Sequence, residues 1–241
     1  MDYNDSHNVQ CDQVVKFLRT TAAHDLLSGG ACRLLELGCG TGPFGRRLLE
    51  EYPLLHVTGV EVLPEPIDAL RQILARDGLE KRYEPVAADI GCAEIFDADR
   101  FDFVLAPSVL HHIPKLIRSD VPRNICRWTR TGGQLMIYDP NGANPVQQAS
   151  NQIMRVATQY FSSLHKHKWP GETMYSPAYY RRVFLKNGFE YVHGFTHDPF
   201  MPVRGTGVPL LGARNLMINA VALVTWGEWR GAGQSSLYRK I

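Results

Sequence analysis

The segment 34–42 constrains the fold of this chain more than any other feature. It reads LLELGCGTG, an apolar run that carries one acid and then breaks into three closely spaced glycines. Such a run predicts a buried strand that stops in a tight turn and leads into a helix. Glycine has no Cβ, so it adopts positive φ and lets a ligand lie directly against the main chain. The segment therefore predicts a binding loop for a nucleotide-type cofactor.

Composition fits one globular α/β domain over residues 1–241. The chain is 44% hydrophobic and 21% charged, which is enough apolar material for one sizeable core. A net charge of +2 is too small to indicate a nucleic acid as partner. The five cysteines include no Cys-x-x-Cys pair, so reduced thiols are expected, and neither a disulfide framework nor a metal site.

Neither the first residues nor the hydropathy indicates export or a membrane span. Residues 1–5 are polar and acidic, whereas a signal segment begins basic and continues apolar. The longest apolar stretch, 216–226, is interrupted by Asn219 and is shorter than the roughly 20 residues that a spanning helix needs. We therefore expect a cytoplasmic protein without a membrane partner. Its oligomeric state stays open, a homodimer included.

Strand-like and helical segments alternate along the chain. Helices are predicted over 8–27, 44–52, 64–76, 115–129 and 177–187, and strands over 33–37, 56–61, 83–88, 101–106, 134–138, 189–195 and 216–226. This alternation predicts a doubly wound α/β sheet with right-handed crossovers. Residues 1–30 would form a helical cover at the N-terminus.

The alternation stops after the fifth predicted strand, over residues 141–175. Apolar residues recur there at helical spacing: Val146, Ala149, Ile153, Val156, Tyr160, Phe161 and Leu164. Such a stripe is typical of a helix that packs on a core. A helical insertion at this place would also act as a lid that shields a reaction from water.

Three acids occupy matching places in the first three predicted strands. Glu36 lies in the first strand, Glu61 ends the second, and Asp89 follows the third. Since the carboxyl ends of parallel strands meet in one crevice, the three acids are expected to lie around one site. An acid ending the second strand suits ribose hydroxyls, and one after the third can accept from the amino group of adenine.

Two cofactors fit this arrangement. Residues 40–45 formally match the G-x-G-x-x-G pattern of dinucleotide-binding loops. That match begins late relative to the strand end at Leu37, and Glu36 would face a pyrophosphate with like charge. The same carboxylate suits a ligand that carries an ammonium and a sulfonium. The electrostatics favour S-adenosylmethionine, with a dinucleotide as the alternative.

The motifs resemble those of the class I S-adenosylmethionine-dependent methyltransferases. Segment 36–42 is similar to the first motif of that family. Similar later motifs follow in the family's order at 60–61, 88–90, 101–104, 109–113, 132–135 and 186–189. The resemblance implies a seven-stranded Rossmann-like sheet, mostly parallel, whose last strand, here 216–226, runs antiparallel.

The resemblance also implies which residues hold the cofactor. They are Glu36, Gly38, Cys39, Gly40, Glu61, Val62, Asp89, Ile90, Ala106 and Pro107. Glu36 would support the amino group of the methionine part, and Glu61 would hold the ribose. Adenine would lie against Asp89 and Ile90, and Pro107 would lie beside the sulfonium.

The implied acceptor is a small molecule. Residues 106–109 read APSV, where amino-methyltransferases of DNA bases carry an Asn/Asp-Pro-Pro-aromatic motif, and the paired glutamates of protein-arginine methyltransferases are not present. The layout is similar to the family's small-molecule branch, in secondary or cofactor metabolism, with oxygen, nitrogen or activated carbon as the methylated atom. The alternative is a protein that binds S-adenosylmethionine without transferring its methyl group.

A hydroxyl acceptor would need a base that removes its proton. The candidates are His111, His112 and Asp139, all predicted just past strand ends on the crevice side. His112 paired with Asp139 is the preferred combination, with the carboxylate orienting or charging the imidazole.

Overall fold

Strands alternate with helices in the computed structural model, which describes residues 3–113, 115–116, 119–145, 148–149, 152, 173–197 and 233–241. The helices are α1 (Tyr3–Arg19), α2 (Ala23–Ser28), α3 (Pro43–Glu51), α4 (Pro64–Asp77), α5 (Val121–Trp128) and α6 (Pro177–Lys186). The strands are β1 (Cys32–Leu37), β2 (Leu55–Glu61), β3 (Tyr83–Ala87), β4 (Phe101–Pro107), β5 (Thr129–Pro140), β6 (Phe189–His197) and β7 (Gly233–Lys240).

The strands form one seven-stranded sheet in the order β3-β2-β1-β4-β5-β7-β6. The first five strands pair in parallel, whereas β7 pairs antiparallel with both β5 and β6. The predicted doubly wound, mostly parallel sheet with an antiparallel last strand is therefore confirmed. Among the described residues, no helix combines the length and the apolar composition that crossing a membrane requires.

The antiparallel strand is not the segment in which the sequence placed it. It is Gly233–Lys240, whereas residues 216–226 lie outside the described part of the chain. The apolar pattern missed β7 because Gln234, Ser235 and Ser236 are polar and yet buried between two neighbouring strands. A central strand satisfies its backbone through both neighbours, so its side chains need not be strongly apolar.

Helix α5 and strand β5 begin at other residues than the pattern predicted. The helix starts at Val121 and not near residue 115, with Pro122 in its first turn, where proline is tolerated. The strand starts at Thr129, so the glycine pair at 132–133 lies inside it. The pairing of β5 with β4 shifts register there, opposite residues 101–103. A Cβ on Gly133 would lie 2.8 Å from the Arg130 carbonyl oxygen, so this position accepts only glycine.

The predicted N-terminal helix over 8–27 is two helices. The hydroxyls of Thr20 and Thr21 donate to the carbonyls of Phe17 and Leu18, at 2.9 and 3.1 Å. Such side-chain bonds compete with the helical backbone and end α1 there. The chain turns at these threonines before α2 begins.

The core consists of two apolar layers, one on each face of the sheet. Helices α1, α3 and α4 cover the layer that includes Phe103 and Leu237. Helices α5 and α6 cover the layer that includes Val104 and Tyr238. Consecutive strand residues enter opposite layers, as the two-residue period of a strand requires.

The ends of the predicted lid meet beside the carboxyl end of β5. The backbone amide of Gly142 donates to the Tyr175 carbonyl at 3.0 Å. The side-chain nitrogen Nε2 of Gln234 donates to the same carbonyl at 2.7 Å. Of the apolar stripe, only Ala149 belongs to the described residues; Val146, Ile153, Val156, Tyr160, Phe161 and Leu164 lie outside them. The lid stays a prediction, and so does the division of the chain into cover, domain and lid.

Candidate active site

A cavity of about 520 Å³ opens at the carboxyl ends of the central parallel strands. It lies between the loops that follow β1 and β4, which are neighbours in the sheet and lead to helices on opposite faces. Doubly wound sheets bind their ligands at this switch point. The lining comes from Gln10 and residues 38–41, 43–44, 60–63, 66, 88–90, 107–109 and 112–113.

The glycine loop forms one wall of the cavity, as the sequence predicts. Gly38 and Gly40 have φ of 61° and 52°, which residues with a side chain rarely adopt. A Cβ on Gly38 would also lie 2.5 Å from a methyl carbon of Val109, in the loop after β4. The two loops therefore approach each other only because residue 38 has no side chain.

The carboxylate of Glu61 joins this loop to the end of β2. Its Oε2 accepts from the Gly40 amide at 3.3 Å, and its Oε1 accepts from the amides of Val62 and Leu63 at 2.9 and 3.2 Å. Since Glu61 also lines the cavity, its oxygens are available to a ligand at the rim. The predicted contact with a ribose remains a prediction.

Asp89 lies on the same side of the cavity as Glu61. Its Oδ1 accepts from the Gly91 amide at 2.8 Å, and the residue lines the cavity together with Ile90. Cys39, Val62 and Pro107 also line it, as the sequence predicts for residues near a cofactor.

The charge of the lining fits a cation and not a pyrophosphate. Glu61 and Asp89 line the cavity, whereas no lysine or arginine does so among the described residues. A dinucleotide would bring two more negative charges to this surface without a cationic partner. A nucleoside that carries a sulfonium and an ammonium meets charges of opposite sign. Among the described residues, no group of three or more metal-ligating side chains could hold a metal ion.

Two residues predicted to bind cofactor lie behind the cavity wall. Ala106 is fully buried within β4 and is not among the described residues that line the cavity. Glu36 is also fully buried, and its Oε2 accepts from the Gly45 amide at 3.0 Å and the Tyr83 hydroxyl at 2.6 Å. Oε2 therefore braces the start of α3, whereas Oε1 has no hydrogen-bond partner among the described residues. The predicted contact of Glu36 with an amino group stays a prediction. The sequence pattern placed Glu36 beneath the loop but could not show which way its side chain points.

Burial raises the pKa of the Glu36 carboxyl from 4.5 to about 7. The hydrogen bonds from Tyr83 and Gly45 act in the opposite direction and are outweighed. Because the folded protein holds this proton more tightly than the unfolded chain, the contribution to stability is complete below pH 4.5. It is lost as the pH rises towards about 7.

Glu36→Gln is expected to flatten the pH dependence of the free energy of unfolding. Glutamine keeps an acceptor for Tyr83 and Gly45 but does not titrate. The variant should therefore keep the roughly 3 kcal/mol of unfolding free energy that the wild type loses between the two pKa values. Urea unfolding at several pH values from 4.5 to 8 measures the slope. Glu65→Gln, at an exposed position in α4, is the matched control. Equal slopes for wild type and Glu36→Gln would contradict the assignment.

The histidines after β4 are arranged differently from the predicted pair. Asp139 contacts His111: its Oδ1 lies 2.8 Å from His111 Nδ1. His112 lines the cavity instead, with its ring centroid 3.9 Å from that of His111. The two residues lie in a 3₁₀ turn, Leu110–His112, in which successive side chains point in different directions. The turn cannot be deduced from the His-His pair alone, and the sequence analysis therefore preferred His112 as the partner of Asp139.

Two residues near the site were not predicted from the sequence. Gln10, on α1, lines the cavity, so this helix contributes to it. Tyr180, on α6, donates to Asp139 Oδ2, although its place in an apolar helical pattern predicts a core residue only. No local motif marks either residue, because each reaches the site from a distant part of the chain.

Comparison with known proteins finds similarity to methyltransferases over the part of the chain that contains most of this site. A family model described as a methyltransferase domain matches residues 34–133. The chain is 27% identical over 141 residues to a ubiquinone biosynthesis O-methyltransferase of Aeromonas salmonicida, covering 56% of the chain and 55% of that protein. It is 30% identical over 149 residues to a trans-aconitate 2-methyltransferase of Azoarcus sp., covering 59% and 54%. The chain thus spans about half the length of these relatives.

A solved structure shares the fold over almost the whole chain. It is geranyl diphosphate C-methyltransferase from Streptomyces coelicolor, in complex with Mg²⁺, geranyl diphosphate and S-adenosyl-L-homocysteine. The TM-score is 0.69 at 11% identity, with 95% of this chain and 77% of that chain covered. At this identity the likeness concerns the fold.

Proposed function

We propose that this chain, whose residues 34–133 match the model of a methyltransferase domain, is a class I S-adenosylmethionine-dependent methyltransferase that transfers the methyl group of that cofactor to a small-molecule acceptor. The main support for the proposal is the charge of the side chains that line the cavity. Glu61 and Asp89 line it without any lysine or arginine among the described residues, at the switch point of a doubly wound sheet. A cationic nucleoside suits that surface, and a pyrophosphate does not.

Each part of the cofactor has a wall of the cavity that suits it. The methionine part would lie against Gly38 and Gly40, where no side chain blocks the backbone. The ribose would hydrogen-bond to Glu61, and the adenine would lie between Asp89 and the apolar side chain of Ile90. When bound, S-adenosylmethionine supplies a methyl carbon that is activated by its sulfonium.

The protein's contribution to the reaction is orientation. Methyl transfer is an in-line displacement, so the walls must hold acceptor and methyl carbon on one axis. Pro107, Ser108 and Val109 form the wall beside the histidines. Ser108 is held in an unusual left-handed conformation, φ 53°, and its amide donates to the Tyr138 carbonyl at 2.6 Å.

Two of the curated relatives support a small acceptor. One is named for ubiquinone biosynthesis and the other for trans-aconitate. Both names refer to small molecules, and the near-neutral charge of this chain does not favour a polyanion. Oxygen, nitrogen and activated carbon all remain within the proposal.

Formation of S-adenosylhomocysteine tests the proposal. The protein is incubated with methyl-labelled S-adenosylmethionine and a panel of phenols, amines, carboxylic acids and sugars, and label transfer is followed. Transfer to at least one class is the expected result. Tight cofactor binding without transfer to any class would favour a binding protein, and no binding at all would overturn the proposal.

A further inference from the structure

A second cavity, of about 440 Å³, lies at the amino ends of the parallel strands. Its lining comes from residues 33, 56–58, 80–84 and 100–101, near the starts of β1, β2, β3 and β4. The cavity proposed for the cofactor lies at the carboxyl ends of the same strands. Among the described residues, none lines both cavities. The two cavities are therefore separate, at opposite ends of the sheet.

The charge of the second cavity is opposite to that of the first. Four of its lining side chains are cationic at neutral pH: Arg33, Lys81, Arg82 and Arg100. The acids in the described lining are Glu80 and Glu84, so the cations are in excess by two charges when the His56 imidazole is neutral. The first cavity has two acids and neither lysine nor arginine in its described lining. A ligand of the second cavity is therefore expected to be an anion.

Two of the guanidinium groups are oriented by uncharged partners. Nη1 of Arg82 donates to the carbonyl oxygens of Leu49 and Pro53, both at 3.1 Å, where α3 ends. Arg100 lies with its Cζ 5.2 Å from the centroid of the Phe101 ring. A carbonyl group or an aromatic ring orients a guanidinium without cancelling its charge. Both groups are thus ordered before a ligand binds, which lowers the entropic cost of binding.

Ion pairs neutralise the opposite side of this cavity only in part. Arg100 Nη2 lies 2.9 Å from Glu84 Oε2. Arg33 Nε lies 3.4 Å from Asp102 Oδ2, but the other oxygen of that carboxylate lies 2.5 Å from Arg130 Nε. One carboxylate thus serves two guanidinium groups, so the positive excess remains.

Lys81 and Arg82 have no carboxylate partner in the described part of the chain. No Asp or Glu oxygen there lies within 4 Å of either cationic group. Lys81 is exposed and Arg82 is half-buried. A planar guanidinium offers two parallel donors to the oxygens of a phosphate, and an ammonium adds a compact charge beside it. The two neighbouring residues therefore supply complementary contacts for a phosphate group.

We propose that the second cavity binds the phosphate group of a small phosphorylated molecule, with Lys81 and Arg82 as its cationic partners. A phosphate monoester carries close to two negative charges at neutral pH, which matches the positive excess of the lining. The volume of about 440 Å³ lies in the range of small-molecule sites. Val57 and Phe101 add apolar lining for the rest of the molecule. The inference does not depend on methyl transfer.

Titration calorimetry with phenyl phosphate, at low salt in a buffer without phosphate, tests the site. Lys81→Met keeps the apolar stem and removes the charge, so the affinity should fall about 10-fold. Lys186→Met, at an exposed position in α6 that lines neither cavity, is the matched control and should bind as the wild type does. Equal affinities of the two variants, or no saturable binding to the wild type, would overturn the proposal.

The position of the bound molecule is measured separately. In ¹H–¹⁵N spectra of the labelled protein, phenyl phosphate should shift the amide signals of residues 80–84 and leave those of residues 38–41 in place. Saturating S-adenosylhomocysteine should leave the affinity for phenyl phosphate unchanged, because the cavities have separate linings. Competition between the two ligands, or shifts confined to residues 38–41, would place the anion in the first cavity and overturn the site.

Benzoate separates phosphate recognition from the attraction of any anion. It has the same ring and a single negative charge, so it should bind about 10-fold more weakly than phenyl phosphate. Equal affinity for the two compounds would overturn the phosphate class. Binding of phenyl phosphate at residues 80–84 by a protein that does not bind S-adenosylhomocysteine would support this inference and overturn the proposed function.

Discussion

Glu61→Ala is expected to weaken binding of S-adenosylhomocysteine by about 100-fold, since two hydrogen bonds to a carboxylate contribute roughly 1.5 kcal/mol each. Glu61 stands where β2 ends, and its two oxygens already organise the amides of residues 40, 62 and 63. The substitution therefore removes the ribose contacts and loosens the glycine loop together. Isothermal titration of both proteins at one salt concentration measures the change in dissociation constant.

Two variants separate these contributions. Glu61→Gln keeps an oxygen acceptor and the shape of the side chain, so it should lose less affinity than the alanine variant. Glu65→Ala, at an exposed position in the first turn of α4, removes a nearby negative charge outside the cavity and should bind as the wild type does. An unchanged affinity in Glu61→Ala would remove the ribose assignment. A melting temperature near that of the wild type is required for the comparison.

Gly45→Ala is expected to lower the free energy of unfolding by about 2 kcal/mol or more, although alanine is the better helix former. A Cβ at this position of α3 would lie 2.4 Å from Glu36 Oε2, 2.5 Å from a ring carbon of Tyr83 and 3.0 Å from Val57. All three neighbours are buried, so none can move into solvent. The hydrogen bond from the Gly45 amide to Glu36 is strained by the same shift.

Gly30→Ala is the matched control for this variant. A Cβ on Gly30 would meet no atom within 4 Å, and the substitution should change stability by less than about 0.5 kcal/mol. For a chain of this length, a change of 2 kcal/mol lowers the melting temperature by roughly 4–8 °C, which calorimetry resolves easily. Equal melting temperatures for the two variants would show that α3 is not packed against β1 and β2 as described.

The sheet and the cofactor loop could be predicted from the sequence because both depend on local patterns. The apolar run before Gly38 is a strand, Glu61 is the last residue of the second strand, and Asp89 follows the third. Parallel pairing then brings their ends together without further information. The predicted crevice therefore contains these residues in the structure as well.

Other features depend on contacts between distant parts of the chain. Strand β7 is polar at 234–236 and is recognisable only by the two strands that flank it. The direction of the Glu36 side chain follows from Tyr83, 47 residues later. The partner of Asp139 depends on a single 3₁₀ turn that separates His111 from His112. Hydrophobic periodicity does not encode any of these three.

Binding of S-adenosylhomocysteine compared with binding of NAD⁺ decides which cofactor the site takes, because a glycine loop alone permits either ligand. Wild-type protein is titrated with each ligand in the same buffer by isothermal calorimetry. We expect S-adenosylhomocysteine to bind once per chain and NAD⁺ to give no binding heat. Saturable binding of NAD⁺, with none of S-adenosylhomocysteine, would contradict it.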